Sequence, residues 1–266
     1  MTLSIIIVSF NACVDLERCL DSLHEHPPAA SHEVIVVDNG SSDGSLEAAR
    51  RRSDVRVLAI GSNRGFAAAN NAGIQASAGE SLLLLNSDTI VPAGAIDRLL
   101  AALERHPEAA AAGPRLVDAH GRAELSFGRM IGPITEWRQQ RLMRRHSRAD
   151  AAAVALIERM TRAEQFPDWV SGACLLVRRA DAEAVGLLDE RFFMYTEDVD
   201  FCAALRARGR RILFTPEAEI VHLRGRSAAS APAATRAAYR RSHLAFYEKH
   251  HPAVAPFLRL YHRVRG

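Results

Sequence analysis

The sequence predicts an α/β protein built on a doubly wound, mostly parallel central sheet with helices on both faces. Three observations predict it. Short β-branched or leucine runs without polar interruption, as strands buried on both faces read, alternate with segments of helical periodicity. The connections between them are short, as in a parallel sheet with crossover helices. The runs end abruptly in small polar or acidic residues, at Ser9, at Asp38 and at Asn86-Ser87-Asp88. Polar groups therefore gather at the C-terminal edge, where open α/β sheets hold their ligands.

The elements follow in order. Ser4–Ser9 is a β-branched strand, and Phe10-Asn11 is a loop. Leu16, Cys19, Leu20 and Leu23 recur at helical spacing up to the Pro27-Pro28 stop. Glu33–Val37 is a second strand closed by Asp38; the polar turn 39–45 leads into a helix through Arg52. Val55–Ile60 is a third strand, and Ala67–Ser77 a small-residue helix that ends before Gly79. Leu82–Leu85 is the most apolar strand, and Pro92–Arg105 is a helix. From Pro114 to Pro167 the pattern weakens, so 114–168 is expected to leave the core as a partly helical, mobile excursion. Val170–Val177 returns to strand character, Asp198–Ala207 is a helix stopped by Gly209, and Ile212–Thr215 and Glu219–His222 are short strands. Tyr239–Glu248 and Ala255–Arg263 read as C-terminal helices with basic faces. The expected organisation is one domain over 1–225 and a basic helical extension over 226–266.

Composition narrows the function classes. With 48% hydrophobic and 24% charged residues, the 266-residue chain is ordinary globular protein. A net charge of +3 is too mild for a nucleic-acid binder, so no nucleic-acid partner is expected. Cys13, Cys19, Cys174 and Cys202 have no metal-ligand spacing and read as small residues of a reduced compartment. The chain enters a strand at once, which predicts no cleaved leader, and no apolar run approaches a bilayer span of about 20 residues. A cytoplasmic protein is expected, either free or peripheral on the inner membrane face.

The motifs exclude some chemistry and suggest other chemistry. Ser9-Phe10-Asn11 lacks the Gly-x-Gly-x-x-Gly of a dinucleotide site, and no phosphate-binding Gly-Lys-Ser/Thr loop occurs. A nucleotidyltransferase would carry a glycine-rich basic loop at that first turn, and this chain does not. Asp38 is placed to hold a ribose hydroxyl or a base N–H, or else to start the Asn-Gly turn. Asp88 delivers a carboxylate to the sheet edge, or caps the next helix. Asn63-Arg64-Gly65 sets a charged fork beside a flexible turn at a helix start, which suits an anionic or carbonyl-rich ligand.

Four segments occur in sequence: Val36–Ser45, Asn63–Gly73, Leu84–Asp88 and Phe193–Asp200. Together they resemble the family 2 glycosyltransferases of the GT-A fold, in particular the rhamnosyltransferase-like branch, over about Ser4 to Gly225. The resemblance implies an inverting transfer from a nucleotide-diphosphate sugar, dTDP-rhamnose in the favoured reading, to an acceptor hydroxyl. A surface polysaccharide or its lipid-linked precursor would supply that hydroxyl. UDP-hexose or UDP-galactofuranose donors share these motifs, and a non-catalytic nucleotide-sugar binder remains the rival of another class. The implied cofactor is Mn2+ or Mg2+, which holds charge on the leaving diphosphate.

Residue by residue, the resemblance makes Asp88 the metal ligand. Asn86 stands where the family's pattern has a first Asp, so one negative charge is missing. His222 falls on a second metal or diphosphate position, although a lone His is commonly structural, and Arg224 and Arg226 would neutralise the diphosphate. The nucleotide contacts fall on Ser9, Asn11, Asp38, Asn63, Arg64 and Gly65, with Asn86 and Ser87 beside them. Gly172 and Ala173 would underlie the sugar or acceptor, as would Trp169, for which core packing is the alternative. Single-displacement inversion needs a general base. Asp198 is that base by resemblance and Glu197 the reserve, while a helix cap would explain either acid. For the basic helices after Arg236, peripheral membrane contact, a homodimer surface and a solvated face all stay open.

Overall fold

Leu82–Leu85 forms the heart of the molecule. The structure is a computed structural model and describes residues 2–223 and 232–265. Its strands are β1 (Leu3–Ser9), β2 (His32–Asp38), β3 (Arg56–Ala59), β4 (Ser81–Asn86), β5 (Thr89–Ile90), β6 (Ala109–Val117), β7 (Phe127–Gly128), β8 (Trp169–Val170), β9 (Cys174–Arg178) and β10 (Arg211–His222). Eight of them form one sheet in the order β3-β2-β1-β4-β9-β6-β10-β5, and β7 pairs with β8 apart from it. Within the large sheet β9 and β5 run against the other six strands.

The helices are α1 (Cys13–Glu25), α2 (Ser45–Arg50), α3 (Phe66–Ala76), α4 (Ala95–Arg105), α5 (Pro133–Ser147), α6 (Ala151–Met160), α7 (Arg179–Ala184), α8 (Glu197–Ala207), α9 (Pro232–His250) and α10 (Ala255–Arg265). Both sheet faces are covered, which is why Ile5–Val8, Val34–Val37 and Leu82–Leu85 are apolar without alternation. Alternate residues serve opposite faces. Ile6, Leu82 and Leu84 pack with α3, α8 and α9, whereas Ile5, Ile7, Leu83 and Leu85 pack with α1 and α4. The small residues of α3 let it lie close on the sheet, and a side chain at Gly73 would run into Ile6.

Three features differ from expectation, each for a physical reason. Ala109–Val117 is a central strand, where four alanines have helical propensity. All four are fully buried, and a Cβ at Gly113 would stand 2.7 Å from Val170, so the site admits only small residues. Pro114 is tolerated because it sits opposite Thr215, where β10 shifts register. That shift also joins the two short C-terminal strands into one, with Pro216 inside the bulge between Thr215 and Glu219. The strand expected over 170–177 is broken at Ser171-Gly172-Ala173, so β8 leaves the main sheet and β9 enters it.

The excursion is partly anchored. Arg115 holds Glu158 of α6 at 2.8 Å and also pairs with Glu219, while α5 has no buried residue. The C-terminal helices pack back on the core. Phe246 is fully buried in the cluster of α3 and α8. Asp200, 2% exposed, is paired by Lys249 at 2.8 Å and His250 at 2.6 Å. A buried carboxylate needs such partners, so Asp200 fastens α9 to α8. All four cysteines are free, and three of them are buried. Among the described residues no helix is long and apolar enough to cross a membrane.

Candidate active site

The polar residues meet where β1, β2 and β4 end and antiparallel β9 begins. The Asn86 N–H donates to the Ala173 carbonyl at 2.9 Å. One residue earlier, the Gly172 N–H donates to Asp198 Oδ2 at 2.8 Å. Two residues beyond Asn86 stands Asp88. The strand-end acid and the helix-start acid thus flank one short segment, Gly172-Ala173. A Cβ on Gly172 would stand 3.2 Å from Asp198 Cβ, so glycine there lets the carboxylate settle against the backbone.

Asp198 and Glu197 open α8, preceded by Tyr195 and Thr196 at φ +72° and +68°. Two consecutive non-glycine residues in the left-handed region are strained, and strain of this kind concentrates at functional sites. The second oxygen of Asp198 accepts the Val199 N–H at 2.8 Å, so the acid also serves the helix start. Burial raises the Asp198 carboxyl above the usual range against the pull of these two N–H groups. Glu197 is pushed well above its ordinary value by burial and then by the Asp198 charge, and its Oε2 is buried with no hydrogen-bond partner.

Asp88, 8% exposed, faces His222 from the end of β10, with Oδ1 3.3 Å from Nε2. The other ring nitrogen of His222 lies 3.2 Å from Glu124. Burial alone would lower the His222 pKa, but the two carboxylates hold the ring charged and raise it to about 9. Glu124 was missed by the sequence reading because it lies in the patternless stretch after β6. Its carboxylate holds the Nδ1 side of the ring and leaves Nε2 turned to Asp88.

The nucleotide-side residues form a second group. Ser9 and Asp38 are register partners at the ends of β1 and β2. Asp38 Oδ2 accepts the Gly40 and Ser41 N–H groups at 3.2 Å, while Asp38 Oδ1 and Ser9 Oγ are buried without partners. Asn11 is occupied locally, accepting the Ser42 N–H at 2.8 Å. Asn63 Oδ1 accepts the Gly65 N–H at 3.0 Å and the Asn39 amide at 3.1 Å. Asn39 also accepts the Arg64 N–H at 2.8 Å, so it shapes this loop, a role its place in a polar turn did not reveal. Arg64 is half exposed and only 3.9 Å from Glu190, a weak surface pair that leaves its charge available. Gly65 has φ +89°, and a side chain there would strike the Phe193 carbonyl. The Phe66 N–H donates to that carbonyl at 2.6 Å, and Asn71 binds Leu188 and Glu190. The loop leading to Glu197-Asp198 is therefore tied to the start of α3.

Asn86 ends β4, and Ser87 is buried beside Asp88. Trp169 does not join these groups: it packs in the core cluster, and its indole N–H goes to the Arg129 carbonyl at 2.9 Å. Core packing, the alternative reading, describes it. Arg224 and Arg226 lie outside the described residues.

Carboxylate and imidazole are the donors a borderline-hard divalent cation takes. Among the described residues no three His, Cys, Asp or Glu side chains converge to hold a metal. A cation here would have two protein ligands, Asp88 and His222, with phosphate oxygens and water completing its shell. The pair fits on its chemistry and its facing donor atoms, provided that a cation at Nε2 displaces the proton the two carboxylates favour there.

The chain is similar to known proteins. The model for glycosyl transferase family 2 matches residues 4–157, and that for glycosyl transferase family group 2 matches 81–243. The N-acetylglucosaminyl-diphospho-decaprenol L-rhamnosyltransferase of Mycobacterium tuberculosis is 34% identical over 264 residues, covering 94% of this chain and 85% of its own. Among solved structures, the mannosyltransferase PcManGT of Pyrobaculum calidifontis, in complex with GDP-Man and Mn2+, matches with a TM-score of 0.63 at 18% identity. That match covers 97% of this chain and 68% of the mannosyltransferase. TarS 1-349 of S. aureus in complex with UDP matches at 17% identity with a TM-score of 0.61, covering 91% and 64%. With a family model over more than half its length and a full-length relative above 30% identity, this chain belongs to the family 2 glycosyltransferases and has their GT-A fold.

Proposed function

We propose that this glycosyltransferase is inverting and divalent-cation-dependent, and that it transfers rhamnose from dTDP-rhamnose to a hydroxyl of a lipid-linked glycan precursor. The observation that carries the reading is the single edge shared by Asp198 and the Asp88–His222 pair, bridged by Asn86, Ala173 and Gly172. The printed name of the Mycobacterium tuberculosis relative supports both the rhamnosyl donor and the diphospho-lipid acceptor.

In this proposal Asp38 and Ser9 offer their unpartnered oxygens to the nucleoside, and the Asn63-Arg64-Gly65 loop lies along it. Asp88 and His222 would hold Mn2+ or Mg2+, which supplies positive charge to the departing diphosphate. Asp198 takes the proton from the acceptor hydroxyl as oxygen attacks the anomeric carbon. Its raised pKa makes it a better base than an exposed aspartate, and Gly172 N–H aims it. Glu197, the next residue along, keeps one buried oxygen unpartnered, and burial and the Asp198 charge raise its carboxyl well above its ordinary value. A second reading keeps the machinery and changes the donor to a UDP-sugar, which the UDP complex of a structural neighbour favours.

A thermal-shift panel of dTDP-rhamnose, UDP-hexoses, UDP-galactofuranose and GDP-mannose with Mn2+ separates them. A ligand at a hundredfold excess over its Kd stabilises by about 2.7 kcal/mol, or roughly 5 °C for a chain of this size. The expected result is the largest shift with dTDP-rhamnose; a larger shift with a UDP-sugar would select the second reading.

A further inference from the structure

Two helices turn apolar side chains outward. Ile134, Trp137, Phe257, Leu260 and Tyr261 each keep half or more of their surface in solvent. Singly such residues are ordinary, but a grouped set marks an interaction surface. On α10, Ala255, Leu258 and His262 face inward, while Phe257, Leu260 and Tyr261 recur at the three- and four-residue spacing of one outer ridge. The helix thus has two apolar faces, of which the core uses one. On α5, Leu142 and Met143 lean on the core, while Ile134 and Trp137 share the outer side with Arg138, Arg141, Arg144 and Arg145.

The two ridges are neighbours. Glu136 of α5 and His262 of α10 both meet His243 of α9, the first at 2.8 Å and the second with ring centres 5.9 Å apart. Trp137 and Tyr261 are their chain neighbours. His251, between α9 and α10, also binds the Ile131 carbonyl just before α5, at 2.7 Å. The three helices form one assembly with aromatic and arginine side chains outward.

We infer that the outer faces of α5 and α10 are a docking surface for an anionic phospholipid bilayer, with Trp137, Phe257 and Leu260 entering the interface and the α5 arginines meeting headgroup phosphates. Charge selects this occupant. Arg138, Arg144 and Arg148 have no acidic partner among the described residues, Arg141 lies over the Trp137 ring at 5.6 Å, and Arg145 alone pairs, with Asp150. A second copy docked by two-fold symmetry would set these arginines against themselves. Arginines beside exposed indole and aliphatic groups suit the charged, half-apolar zone of a membrane surface. The inference goes beyond the proposed reaction, because it stands on side chains to which that reaction gives no role.

Sedimentation with vesicles tests it without donor or acceptor, so its outcome is independent of the reaction. The chain should pellet with phosphatidylcholine vesicles containing about a third phosphatidylglycerol and bind several-fold less to phosphatidylcholine alone. Trp169 is buried, so a blue shift of emission on the anionic vesicles reports Trp137, and Trp137→Phe should abolish it. The double variant Trp137→Ala/Phe257→Ala should lower partitioning about tenfold with an unchanged melting temperature, since both side chains are mostly in solvent. Absent vesicle binding, or binding unchanged in the double variant, would overturn the inference. So would a dimer in solution that the double variant dissociates without any effect on vesicles.

Discussion

Asp198→Asn is expected to leave donor affinity within about twofold and to lower turnover at least about a hundredfold, which is roughly 2.7 kcal/mol of barrier. The asparagine keeps the shape of the side chain, but its one carbonyl oxygen can accept only one of the N–H groups that Gly172 and Val199 give to separate carboxylate oxygens, so a melting temperature close to that of the unmodified chain should accompany the loss of turnover. What is lost is a group able to receive a proton. The pH profile carries the same signature. Burial raises the Asp198 carboxyl above its ordinary value, and the base must be ionised to act. Turnover therefore rises as pH climbs through that raised value and is lost on the acid side. In the variant this acid limb should vanish together with the rate. Steady-state kinetics over acidic to neutral pH checks both parts, and near-normal turnover would remove Asp198 from the role of base.

Asp88→Ala should abolish the cation-dependent part of nucleotide binding. Calorimetry of dTDP with Mn2+ and with a chelator separates that part from the rest. In the unmodified chain Mn2+ is expected to tighten binding at least about tenfold, the scale on which disturbing a metal site is felt. In the variant the two titrations should coincide at the weaker value. The substitution leaves His222 paired with Glu124, so the β10 end should stay ordered and the loss is not one of folding. An affinity that ignores both the cation and Asp88 would reject the ligand role. Asn86 gives the experiment its interest: by resemblance it stands where the family has a first Asp, so in the proposed site Asp88 would be the one carboxylate ligand.

The sheet edge was legible because strand ends are marked in sequence. Leu82–Leu85 passes from four apolar residues to Asn86-Ser87-Asp88 without transition, and the structure sets that edge against Ala173. The helix start at Glu197-Asp198 was equally plain. Local patterns failed where tertiary packing overrides propensity. The alanines of β6 carry no strand pattern and mark no element in the sequence, yet they form a central strand whose two faces admit only small side chains. The apolar pattern on either side of Ser171-Gly172-Ala173 predicts one continuous strand, and it breaks at the segment that meets Asp198. Residues recruited from far along the chain left no local trace. Glu124 meets His222 across 98 positions, and Asn71 meets Leu188 across 117. Trp169 shows the converse: a residue prominent in a motif-like segment can be held there by packing and by one hydrogen bond to Arg129.

A crystal structure of the chain soaked with Mn2+ and dTDP tests the central claim most directly. The expected result is an anomalous manganese peak beside Asp88 and His222, with the diphosphate next to it, the nucleoside against Asp38, and Asp198 on the same edge. Manganese held elsewhere, or a diphosphate seated away from the edge shared by Asp88 and Asp198, would contradict it.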